Sequence, residues 1–135
     1  MDSSEIPVSS DRGSLNIFLW FIAGDTQLSI DVRDTIRDPD NEVYLSAISV
    51  WEAIVKYQLG KLPLPEHPET YLPKQRNLHQ IASLALDESS VIQLAKLPPL
   101  HRDPFDRMLI CQALQNGLII ATVDTAIRAY SVSVI

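Results

Sequence analysis

Leu118-Ile119-Ile120-Ala121-Thr122-Val123 is a continuous apolar run rich in β-formers. A run of this kind reads as a strand buried on both faces, and such strands belong to parallel sheets covered by helices. Before it, residues 103–116 form a strong helical stretch closed by Gly117. After it come Asp124, a short helical stretch over 125–130 and a last strand over 132–135.

The same alternation extends toward the N-terminus. Pro98-Pro99 breaks the chain after a helix over 89–97. A strand over 81–86 follows a helix over 68–78, and Leu62-Pro63-Leu64-Pro65 is an extended linker. A helix over 49–59 ends at Gly60 and follows a strand over 42–47. A short amphipathic helix over 29–37 stops at Asp38-Pro39-Asp40-Asn41. Residues 17–23 open the first helix, which Gly24 and Asp25 end, and residues 1–13 read as a poorly ordered leader. Strands alternating with helices define an α/β domain with a central parallel sheet, here over residues 14–135.

Composition narrows the function. The 135 residues suffice for one core, and the balance of 46% hydrophobic to 21% charged residues is globular. No run of 18 apolar residues exists to span a bilayer. The lone cysteine, Cys111, sits among apolar neighbours and reads as a small core residue in a reducing, cytosolic setting. The net charge of −6 argues against a protein that coats nucleic acid through bulk electrostatics. It is compatible with an acidic site whose charge a bound cation inverts.

Three groups of residues carry candidate chemistry: Ser49-Val50-Trp51-Glu52, His101-Arg102-Asp103-Pro104-Phe105-Asp106-Arg107 and Thr122-Val123-Asp124. Each has a structural reading. Ser49 and Glu52 have the spacing of a capping box. Asp103 fits an N-cap with Pro104 behind it and Asp106 near the positive helix end. Asp124 fits the cap of the helix that follows it. Each also follows a strand or opens a helix, where an open parallel sheet gathers residues into one crevice. Carboxylates sharing a crevice repel unless a cation neutralises them, and hard oxygens suit Mg²⁺ or Mn²⁺ rather than zinc. Such a cation activates water for attack on a phosphodiester. Arg102, Arg107, Lys56 and Lys61 stand near these acids in sequence and suit an RNA backbone, or a solvated surface. His67, His79 and His101 are scattered and suggest no zinc site.

At these residues the sequence resembles the VapC-type PIN-domain toxins, ribonucleases of type II toxin–antitoxin pairs. The resemblance is carried by residues 44–52 with 56–64, by residues 97–110 with Gln112-Ala113, and by the late Thr122-x-Asp124. It implies a three-layer PIN-like fold and a Mg²⁺-dependent endoribonuclease. It also implies a cognate antitoxin and a homodimer. By position it makes Glu52, Asp106 and Asp124 the metal-site acids. Asp103 becomes a nearby acid or cap, and Thr122 orients the site.

One departure stands out. The family opens with an apolar strand ending in Asp-Thr, whereas Ser14 and Leu15 occupy those positions here. The first strand is therefore expected to be degenerate, or its start site or frame misassigned, with the metal site one ligand short. Three functions compete on this basis. They are an active ribonuclease, an impaired PIN-like module that still docks an antitoxin, and, ranked last, a DNA-directed nuclease.

Overall fold

Four helices open on a side chain that accepts an orphan backbone N–H, namely Ser29, Ser46, Asp87 and Asp103. The computed structural model describes residues 14–100, 103–122, 127 and 130–135. Among these are six helices: α1 (Ser14–Ala23), α2 (Ile30–Arg37), α3 (Ala47–Gln58), α4 (Pro68–Leu78), α5 (Glu88–Ile92) and α6 (Pro104–Asn116). Two strands accompany them, β1 (Tyr44–Ser46) and β2 (Ala82–Leu84). Contacts divide the chain into a unit spanning Phe18–Ala85 and a unit made of the flanking segments, up to Ile17 and from Leu86.

In the Phe18–Ala85 unit, β1 and β2 pair in parallel with Leu45 opposite Ser83. The parallel pairing is as expected, although both strands are shorter than the apolar runs that announce them. Helix α3 begins at Ala47, and its cap is Ser46. That residue has extended backbone angles, and its Oγ accepts the Ile48 N–H at 3.1 Å. The capping-box reading of Ser49 is thereby corrected: Ser49 lies inside the helix and is buried. At the other end Gly60 takes φ +71°. Its N–H donates to Tyr57 O and the Lys61 N–H to Lys56 O, which closes the helix as a Schellman turn. Leu45, Ile48, Ala53, Leu72 and Ile81 are buried in this unit.

In the flanking unit, α6 supplies Ile110, Cys111 and Ala113 to a core with Leu97, Ile120, Ile127 and Tyr130. Cys111 is fully buried there, and burial pushes its thiol pKa up, as befits a packing residue. The helix expected over 89–97 is α5 followed by a 3-10 turn over Gln93–Lys96. The expected strand over 118–123 is reduced among the described residues to one parallel bridge, Ile120 to Val134, flanked by hydrogen bonds to Ser133 and Ile135. It is also not buried on both faces. Ile119 is 61% exposed while Ile120 and Thr122 are buried, so the run alternates as a half-covered strand does. The expected leader, and with it the stretch where the first strand is expected to be degenerate, lies outside the described residues, as does most of the helix expected over 125–130.

Candidate active site

Asp106 stands in the first turn of α6, where Asp103 sets the geometry. The Asp103 carboxylate accepts the backbone N–H groups of Phe105 at 2.9 Å and Asp106 at 3.2 Å, and Pro104 takes the first helical position. Asp103 is therefore the N-cap that its sequence position suggests. Asp106 is 1% exposed. Its Oδ2 is buried and takes no hydrogen bond, although the residue does interact with its surroundings. Arg107 follows it, half-buried, and its charge acts on the Cys111 thiol one turn on.

Thr122 lies just past the Ile120 bridge, and its side chain is buried. Its N–H donates to Ile135 O. Next to it in sequence, the Ala121 carbonyl accepts the Ser14 hydroxyl at 2.8 Å. In the sequence Ser14 stands out as a departure from the family pattern. A bond across 107 residues leaves no periodic trace in a sequence.

Glu52 belongs to the Phe18–Ala85 unit. It is 1% exposed in the second turn of α3, beside Ser49 and Ala53 on the buried face. Lys56, one turn on, forms an ion pair with its Oε2. The structure thus places Lys56 on Glu52, an i,i+4 pairing visible in the spacing but assigned at the sequence level to an RNA contact. Asp124, Arg102 and His101 lie outside the described residues. His79 bonds Gln75 O and meets Phe21 edge-on, and His67 packs edge-on against Tyr57.

The carboxylate oxygens of Glu52 and of Asp106, each within its own unit, are hard donors of the kind that suits Mg²⁺ or Mn²⁺. Among the described residues no three His, Cys, Asp or Glu side chains assemble into a metal-holding group. No helix among them is long and apolar enough to cross a membrane.

A sequence model of the PIN domain family matches residues 16–132, and the chain belongs to that family. Over 59 residues, 44% of the chain, it is 36% identical to Ribonuclease VapC16 of Mycobacterium tuberculosis (strain ATCC 25618 / H37Rv). The aligned stretch spans 42% of that relative's length.

Proposed function

We propose that the chain is an endoribonuclease of the VapC kind, a PIN-like domain over residues 14–135 that hydrolyses RNA with Mg²⁺ or Mn²⁺. The observation that carries this is the burial of two carboxylates, Glu52 and Asp106, in a PIN-family chain. Buried ionisable groups cluster at functional sites, and both carboxylates stand where the family resemblance puts its metal-site acids. The name of the partial relative, a ribonuclease, supports the same reaction class.

The acids assigned to the reaction are Glu52, Asp106 and Asp124. The same three acids are assigned to hold the cation, and Thr122 to orient the site by hydrogen bonding. When bound, the cation lowers the pKa of water and offsets charge on the phosphate under attack. Asp103 holds the first turn of α6 so that Asp106 keeps its place. Arg102 and Arg107 are assigned to the RNA backbone. A cognate antitoxin, a homodimer and a cytoplasmic location complete the proposal.

A second reading has one observation in its favour. Ser14, where the family resemblance expects an acid, carries no charge and donates its hydroxyl to Ala121 O. A chain impaired in this way binds an antitoxin without cutting RNA. The two readings separate when purified protein is given single-stranded RNA with Mg²⁺ or Mn²⁺, and with EDTA. Cation-dependent cleavage that Glu52→Gln abolishes supports the ribonuclease. An inert protein that still holds its antitoxin supports the module.

A further inference from the structure

We propose that Lys56 is a built-in counter-ion for Glu52, and that a divalent cation must displace its ammonium group to reach that carboxylate. The inference rests on the cation-dependent reading of Glu52 given above and adds a residue that sets the cation's affinity.

The Glu52 side chain is 2% exposed and the Lys56 side chain 15%. An ionised carboxylate so deeply covered requires a compensating charge, and removing one partner of a buried pair is costly. Lys56 provides that charge from one turn away, in the favourable order with Glu N-terminal to Lys. The pair therefore sets a compensating charge at Glu52 and holds its side chain in position without any metal.

The geometry also makes the pairing reversible. The backbone of Lys56 is fixed, because its carbonyl accepts the Lys61 N–H in the turn that ends α3. Its side chain is a flexible four-carbon stem with a residual opening to solvent, and such stems can swing their charged end into water. An ammonium group and a divalent cation at one carboxylate oxygen repel each other strongly in a covered site. Cation uptake at Glu52 therefore carries the cost of moving Lys56, and Lys56 tunes the concentration at which the site fills.

The test uses the full chain and Mn²⁺ alone, read by calorimetric titration and by thermal unfolding in EDTA and in Mn²⁺. Lys56→Met is expected to melt lower than wild type in EDTA. It is expected to bind Mn²⁺ at least about tenfold more tightly, the low end of what an adjacent charge does to a carboxylate's equilibrium. Its melting temperature then rises more with Mn²⁺ than that of wild type. Lys56→Arg, which keeps the charge, is expected to bind Mn²⁺ as wild type does. If Lys56→Met does not fold, Lys56→Gln carries the same comparison. Wild-type uptake of Mn²⁺ with equal or weaker binding by the neutral variants overturns the role of Lys56 and leaves the metal reading standing. No Mn²⁺ uptake by wild type or by any variant overturns the metal reading, and the counter-ion role with it.

Discussion

The Ser14 hydroxyl donates to the carbonyl oxygen of Ala121 at 2.8 Å, tying the first turn of α1 to the segment that ends in Thr122. Ser14→Ala removes that donor and leaves a partly covered carbonyl without it. The expected loss of stability is about 1 kcal/mol, the usual net worth of such a bond. Ser14→Asp sets a carboxylate against the carbonyl, acceptor facing acceptor, and is expected to cost more than Ser14→Ala in EDTA. Urea unfolding of the three proteins checks the order; an aspartate variant more stable than the alanine variant contradicts it.

Asp103 is expected to act as a cap, through the two N–H groups its carboxylate accepts. Asp103→Ala should lose about 1 kcal/mol of stability. Asp103→Asn retains a capping acceptor and should recover most of that loss, with RNA cleavage largely kept. If Asp103→Asn is as stable as wild type but inactive, the carboxylate charge has a chemical role beyond the cap.

These two residues show what was legible in the sequence. Helix α6 could be read almost to the residue, because Asp103, Pro104 and Gly117 mark its ends through local chemistry. Helix α4 was equally plain, from Pro68 to Leu78. The start of α3 was misjudged because Ser46 and Ser49 both suit an N-cap, and only burial and backbone angles distinguish them. The 118–123 run looked buried on both faces by composition alone. Exposure of Ile119 depends on what covers the strand, which apolar content does not specify. Of the candidate site, the acids Glu52 and Asp106 were found from motif position. The Ser14–Ala121 bond is set by tertiary structure and leaves no local signal.

Tyr130 joins two distant points of the flanking unit. Its phenol oxygen donates to Pro98 O at 2.9 Å and accepts the Leu100 N–H at 3.0 Å, bracing the double-proline segment that precedes α6. Tyr130→Phe keeps the ring in the core and removes both bonds. A loss of about 1–2 kcal/mol in chemical denaturation is expected, roughly one unit for each bond. An unchanged midpoint and slope contradicts the brace.

Asp87 gives one leg of the acid dependence. Hydrogen bonds from Ser90, the side chain's first and the backbone's second, hold its carboxyl below the ordinary carboxylate value of 3.8. A depressed folded-state pKa contributes stability above the unfolded value and loses it as pH falls through the folded one. Asp87→Asn keeps a capping acceptor but does not titrate. Wild type should exceed this variant in stability at pH 6, with the gap closing below the ordinary value. Urea titrations at pH 6 and pH 3 read the gap; one that widens on acidification contradicts the cap.

The central claim is that a buried carboxylate of α6 serves cation-dependent RNA hydrolysis. The most direct measurement is the rate of RNA cleavage by wild type and Asp106→Asn at matched Mg²⁺ or Mn²⁺, with both proteins shown folded by circular dichroism. The account predicts a cation-dependent wild-type rate and a fall of more than about a hundredfold in the variant, beyond what residues that merely support a metal ligand cost. A folded Asp106→Asn protein that cleaves RNA at the wild-type rate would contradict it.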